Sequence, residues 1–340
     1  MSTICVTGAG GYIGSALVKA LARDGAEELL LMDSSEYALF EIQRYMEAAH
    51  SHVRSEPVLG SICDAGLLDS IFGRFHPDVI FHAAAFKHVG LAERNPFAAI
   101  ANNALGSYTL AQAAARHGAR KLVFVSTDKA ARPCSVMGVS KRIAELLILS
   151  MSGRRLRANA VRLGNVIGSP GSVIPLFLEQ IERGEALAVR HPDASRYFLS
   201  LEQTVAAILA AAEADCEGKV LLPEFGEPVC IAELAAFLAK DLPVHSTGLR
   251  PGEKISEDLM GPGEEPEGII DGPLTVVNSP RLSCADCEKA VHRLSGCIGG
   301  RDRASLLEAL LWLAPEYKPS QWITGQWIPE SAAAGTTQWR

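Results

Sequence analysis

The chain has 340 residues, 48% of them hydrophobic and 21% charged, and its 32 basic against 39 acidic residues give a net charge of −7. That length is enough for a full core and sets a prior of two domains, so neither disulfides nor a metal is needed to hold it together. The acidic balance argues against the basic face of a nucleic-acid binder and against a polybasic membrane anchor, and no run approaches the ~20 apolar residues of a spanning helix.

The start, MSTICVTG, lacks a basic segment followed by an apolar one, so no signal peptide is expected. The eight cysteines are scattered, most of them in apolar strand-like runs, as in a reduced cytoplasmic protein.

In chain order, Ile4–Thr7 predicts a first strand, followed by a glycine-rich turn. A helix is predicted over Tyr12–Asp24, with Ile13, Leu17 and Leu21 at four-residue spacing. Glu28–Asp33 is a continuous apolar run of the kind buried on both faces of a parallel sheet. A helix from Glu36 to His50, strands at Pro57–Ile62 and Asp78–Ala84, and a helix at Ala65–Phe75 follow. Then come one long helix over Pro96–His117, a strand at Lys121–Thr127, a helix at Val139–Met151 and a strand at Asn159–Val166. This alternation predicts an α/β fold, a doubly wound parallel sheet of Rossmann type, with right-handed crossovers.

From Ile167 the chain turns rich in Gly and Pro, as at the exit into a second lobe. Helices are predicted at Ile174–Gly184, Thr204–Glu213 and Arg303–Leu313, short strands at Ala186–Arg190 and Lys219–Phe225, and a surface loop at Pro251–Gly272. The expected division is a nucleotide-binding domain over 1–166, to which 197–225 returns. A smaller α/β substrate lobe takes 167–196 and 226–318, and a tail takes 319–340. The tail carries three Gln-Trp pairs, at Trp322, Trp327 and Trp339, read as a segment lying over an apolar groove, on a partner subunit of a homo-oligomer.

The first turn reads Thr7-Gly8-Ala9-Gly10-Gly11-Tyr12-Ile13-Gly14, between a strand and a helix. Gly8 permits the tight turn, Gly11 the approach of backbone to a pyrophosphate, and Gly14 close packing of helix on strand. The helix N-terminus adds free N–H groups and the positive end of its dipole. Asp33 ends the second strand nineteen positions after Gly14, the spacing of a carboxylate that binds the adenosine ribose. It would repel a 2′-phosphate, and Ser34 and Ser35 supply no arginine to hold one, which favours NAD over NADP.

Further along stand 82-HAAAFKHV-89, 126-STDKA-130, 136-VMGVSKR-142, 162-RLGNV-166, 171-GSVIP-175, 191-HPD-193 leading to 196-RYF-198, and 248-GLRPGEK-254. With the glycine turn, this ordered set resembles the extended short-chain dehydrogenase/reductases, and among them the CapD-like polysaccharide-biosynthesis enzymes of UDP-N-acetylglucosamine 4,6-dehydratase type. The resemblance covers roughly residues 3–320 and is to the branch that lacks preceding membrane helices.

It implies the reaction as well. Hydride leaves sugar C4 for NAD+, the ketone acidifies C5, water leaves from C6, and the hydride returns to C6. By resemblance, Asp128 is the acid and Lys129 the base, which must then be partly neutral, with Thr127 beside them at the strand end. Met137 stands where most of the superfamily has a tyrosine, four residues before Lys141, and a thioether exchanges no proton. Either the chemistry is lost, or Thr127, Asp128 or Lys129 handles the C4 proton. The family shares this Met, which favours the second, and Lys141 is expected on the nicotinamide ribose.

The resemblance also places Gly8, Gly10, Gly11, Tyr12, Ile13, Gly14, Asp33, Ala83, Ala84, Ala85 and Asn102 on the cofactor. It places Lys87, Arg196 and Arg250 on a diphosphate, Asn165 on the nucleotide sugar, Val173 and Pro175 at the uracil and Glu253 at a ribose. Close alternatives are C5 inversion or C4 epimerisation on the same scaffold; from another class, a non-catalytic NAD sensor.

Cys284, Cys287, His292 and Cys297 have the spacing of a zinc knuckle. The residues between them instead predict a helix, capped by Ser283 and stopped at Gly296, that turns His292 away from the first two cysteines, so no metal is expected.

Overall fold

A computed structural model describes residues 2–153, 155–239, 242–270, 272–321 and 323–324. The three tryptophans of the tail lie outside the described residues. Strands β1 (Thr3–Thr7), β2 (Glu28–Asp33), β3 (Arg54–Leu59), β4 (Val79–His82), β5 (Lys121–Thr127) and β6 (Arg157–Leu163) are all parallel. Their order across the sheet is β3-β2-β1-β4-β5-β6, extended beyond β6 by Val220–Pro223, Leu274–Asn278 and Glu265–Ile270 to nine strands. This is the doubly wound order whose ligand crevice opens at the switch between β1 and β4.

Alternation along each strand divides the core. On β5, Val123 and Val125 face one apolar cluster, which holds Leu17, Val18 and Leu21 of α1 (Tyr12–Arg23) and Leu39, Ile42 and Met46 of α2 (Glu36–Ala49). Leu122 and Phe124 face the other, with Leu68, Ile71 and Phe72 of α3 (Ala65–Phe75).

Two short helices, α4 (Val89–Arg94) and α5 (Pro96–Ile100), precede a π-helical stretch over Ala101–Gly106, then α6 (Ser107–Arg116) and, after β5, α7 (Val136–Ser150). The single long helix expected over 96–117 is therefore interrupted. The wide turn lets Asn103 reach back, accepting from the Phe86 N–H at 2.8 Å and donating to Phe86 O and Ser140 Oγ, both at 2.9 Å. Such turns recur at functional sites.

The strand expected to run through Asn159–Val166 stops at Leu163. A side chain at Gly164 would collide with the Tyr197 carbonyl at 2.6 Å, and Asn165–Val166 instead pairs with Phe198–Leu199.

The second lobe has its own small core of Phe177, Leu187, Val189, Ile231 and Ala235. It ends earlier than expected. The loop anticipated over 251–272 contains the strand Glu265–Ile270, which forms an antiparallel edge hairpin with Leu274–Asn278 on the central sheet. Helices Cys284–Gly300 and Arg303–Leu313 pack with α5 and α7, not with that lobe, because Ala290, Leu294, Leu306 and Leu310 share a cluster with Phe97, Val139 and Ile143. The first of these helices runs through Gly296 and ends at Arg301 in a left-handed conformation. A continuous helix separates Cys284 from Cys297 by about 20 Å of rise, too far to share one ion.

Candidate active site

The glycine turn is built to the tolerance of an atom. Gly8 has φ +70°, and a Cβ there would lie 2.7 Å from the Ala84 nitrogen. A Cβ on Gly14 would lie 1.9 Å from Gly8 O, and one on Gly10 would lie 2.4 Å from the Ala38 backbone. Beside Gly11 only Gly8 O comes within 4 Å, so that face of the turn is open. Asp33 reaches over from β2, accepting from the Gly10 N–H at 3.0 Å and the Ser35 N–H at 2.9 Å. Ala83 donates from its backbone to Thr7 O, which brings Ala83, Ala84 and Ala85 beside Gly8, and Ile13 opens α1 against the core. Tyr12 donates from its hydroxyl to Ile167 O at 2.8 Å, joining the turn to the exit loop. The cradle and its carboxylate fit a dinucleotide.

A buried chain supports the turn from behind. His82 bridges Thr7 and Ser107 with both ring nitrogens at 2.7 Å, and Ser107 donates to Asn103 O. Burial, with Lys141 nearby, holds His82 well below the usual histidine range, so it stays neutral. Asn102 donates to Asn103 Oδ1, so its amide serves this network.

The second half of the site gathers at the end of β5. Thr127 donates to Asp128 Oδ1 at 3.0 Å, and Lys129 Nζ donates to the same oxygen at 2.9 Å and to Asn165 Oδ1 at 3.3 Å. Burial pushes the Lys129 ammonium downward, but the carboxylates of Asp128 and Glu257 outweigh it and the net shift is upward. The expectation of a partly neutral Lys129 is thus reversed in this state, because the adjacent carboxylates favour the cation. Burial lowers Lys141 instead, to about 7. Its Nζ donates to Val125 O at 2.6 Å and lies 3.9 Å from the Phe124 ring centroid, so it sits on the β5 backbone. Met137 is 5% exposed, its side chain in the apolar cluster that α5 and α7 share with the C-terminal helices.

The expected diphosphate cations are distributed unequally. Arg196 Nη1 donates to Ser195 O and Ile255 O and its Nη2 to Lys254 O, which ties it to the 254–257 segment. Lys87 donates to Ser169 Oγ and Pro170 O. Arg250 presents its guanidinium beside Arg190, whose pKa is lowered by burial and by that neighbour. Glu253 accepts from the Arg250 N–H at 2.9 Å and lies 3.8 Å from Arg190 Nε. Val173 and Pro175 open the helix Val173–Glu182 at the edge of the second lobe.

Residues 4–271 match the model of the polysaccharide biosynthesis protein family. The chain belongs to that family. The capsular polysaccharide biosynthesis protein CapD of Staphylococcus aureus is 37% identical over 272 residues, covering 77% of this chain and 45% of that relative's length, so the chain spans less than half of it. Among solved structures, Pen from Bacillus thuringiensis superposes with a TM-score of 0.76 at 27% identity, over 83% of this chain and 89% of that one. DesIV, the dTDP-glucose 4,6-dehydratase of Streptomyces venezuelae solved with NAD, gives 0.69 at 25% identity, over 86% and 96%. The fold is that of an extended short-chain dehydrogenase/reductase. Among the described residues, no helix is long and apolar enough to cross a membrane.

Three contributors were missed in the sequence. Asn103 sits mid-helix by pattern, and only the π-helical turn reveals its reach. Arg190 closes a short strand with no motif of its own. Glu257 lies in a charge-rich stretch read as a surface loop, yet its side chain is only 3% exposed and 3.6 Å from Lys129.

Proposed function

We propose that the chain is an NAD-dependent nucleotide-sugar 4,6-dehydratase acting on UDP-N-acetylglucosamine or a close N-acetylhexosamine relative. The observation that carries this is the Asp128–Lys129 pair, hydrogen-bonded at 2.9 Å at the C-terminal end of β5, in the sheet that carries the glycine cradle. When bound, NAD supplies the hydride acceptor and donor. The chain's part is to hold the sugar and move protons. One proton passing from Lys129 Nζ to Asp128 Oδ1 creates both required groups together, a neutral amine to take the C5 proton and a carboxylic acid to protonate the C6 hydroxyl as it leaves. Thr127, whose hydroxyl already touches Asp128, offers a route for the C4 hydroxyl proton, which removes the need for a tyrosine at position 137. Arg250, Arg190 and Lys87 would neutralise the diphosphate, with Val173 and Pro175 at the base and Glu253 at the ribose.

Incubation with UDP-N-acetylglucosamine in D2O, followed by NMR, tests the reading. A 4-keto-6-deoxy product with deuterium at C5 is expected. A C4 epimer that retains its 6-hydroxyl would overturn the proposal in favour of epimerisation. Binding of both dinucleotides should show NAD the tighter, since a 2′-phosphate would meet Asp33.

A further inference from the structure

Three buried side-chain oxygens lack a hydrogen-bond partner among the described residues, and two of them, Asp128 Oδ2 and Glu257 Oε2, belong to one cluster. Unpaired buried carboxylate oxygens are costly, so their coincidence calls for a cause. Glu257 Oε1 lies 3.6 Å from Lys129 Nζ and 3.9 Å from Arg196 Nε, and its Oε2 lies 3.6 Å from Lys254 Nζ. The carboxylate is therefore held by three cations from three segments, none at hydrogen-bond distance. Charge pairs this loose act through their field.

We propose that Glu257 is a positioning residue: it fixes Lys129 Nζ between Asp128 and Asn165 and keeps the Asp128–Lys129 pair in its ionised form. The inference rests on the function proposed above. The groups facing Lys129 are few. Asp128 and Thr127 come from its own strand end, Asn165 from the strand pairing with 198–199, and Glu257 and Arg196 from the two segments that cross above. The Cys134 thiol also interacts with Lys129; burial chiefly pushes it up to about 11, so it is neutral below that pH and adds a charge only at the top of a titration. Glu257 is thus the second negative charge on Lys129, and its loss makes the neutral amine easier to form.

The measurement needs no turnover. Lys129, whose side chain is 22% exposed, can be acylated by a small anhydride between pH 8 and 11.5, and the extent read by peptide mass spectrometry against surface lysines. For Glu257→Gln the Lys129 midpoint should fall by about one pH unit, bringing the plateau into range while the wild type still rises. Glu257→Asp should stay near wild type. An unmoved midpoint, or a raised plateau with the midpoint unmoved, would overturn the proposal, since the latter reports loosened packing only. If turnover is measured as well, its rise with pH should shift by the same amount. No turnover of any nucleotide sugar alongside a shifted midpoint would sink the dehydratase reading and leave the role of Glu257 standing.

Discussion

Two clusters of buried charge lie within a few residues of each other along β5, β6 and α7, and they are built on opposite terms. In the first, Arg162 is fully buried and donates to both oxygens of Glu145 and both of Glu264, at 2.6 to 2.8 Å. Arg142 adds bonds to Glu145, Glu264, Ser279 and Glu316, while Ser126 and the Gly261 N–H fill remaining lone pairs. Every buried carboxylate oxygen there has a partner. In the second, Asp128 and Glu257 each leave an oxygen without a hydrogen-bond partner among the described residues. A saturated ionic network has no capacity left for a ligand and fixes its segments in place. An unsaturated one keeps acceptors free for a substrate. On the function proposed above, the first cluster holds the fold and the second serves the chemistry.

The sharpest separation should come from the second cluster. Asp128→Asn and Lys129→Met should each slow dehydration by ~10²–10⁴-fold while leaving nucleotide-sugar affinity and the unfolding midpoint nearly unchanged. Loss of less than tenfold in both, measured by product NMR, would place the acid and base elsewhere. A variant that unfolds instead would erase the distinction between the two clusters.

Arg162→Met addresses the other side. It strands Glu145 and Glu264 without their main cation, and removing one partner of a buried ion pair costs about 3–5 kcal/mol. Urea denaturation should show that loss, or the protein should fail to fold. A stable variant that is inactive would mean that this network, too, serves the reaction.

Acid titration should find the same contrast more gently. Burial alone would raise Glu264, but the hydrogen bond and charge of Arg162, with Arg142 behind it, bring it down to about 2. A carboxyl lower in the folded state than in the unfolded one stabilises the fold above its unfolded pKa, and that contribution disappears as pH falls towards 2. The amount at stake is about 3 kcal/mol. Urea midpoints taken from pH 7 down to pH 3 should fall, and Glu264→Gln should flatten the decline.

The smallest effect expected is that of Met137→Tyr. Its side chain belongs to a close-packed apolar cluster, so a phenol ring overfills it at a cost of about 1–3 kcal/mol. Dehydration should slow severalfold with NAD binding kept. A faster variant would show that the thioether is a lesion and that the proton route through Thr127 is wrong.

Much of the first half was open to reading from residue order, because its signals are local. Strand–helix alternation, the glycine spacing of the first turn and the carboxylate at the end of β2 all act over a few tens of residues. The charge cluster was only half open. Thr127, Asp128 and Lys129 are consecutive and stood out by resemblance, but the second carboxylate beside Lys129, after that of Asp128, comes from position 257. No periodicity links a loop glutamate to a strand end 128 residues earlier. The net upward shift of Lys129 comes from two carboxylates, only one of which is its neighbour in sequence.

The sequence alone determined the parallel sheet, the dinucleotide turn and the types of residue available for acid–base work, since each depends on backbone preference or side-chain chemistry at short range. Only the tertiary structure decided which charges meet. It tied Arg196, expected on the diphosphate, to the 254–257 segment through three carbonyls and placed the last two helices on α5 and α7. It also buried Glu257 against Lys129. Electrostatic energy depends on distance through space and on exclusion of water, and neither quantity is written along the chain.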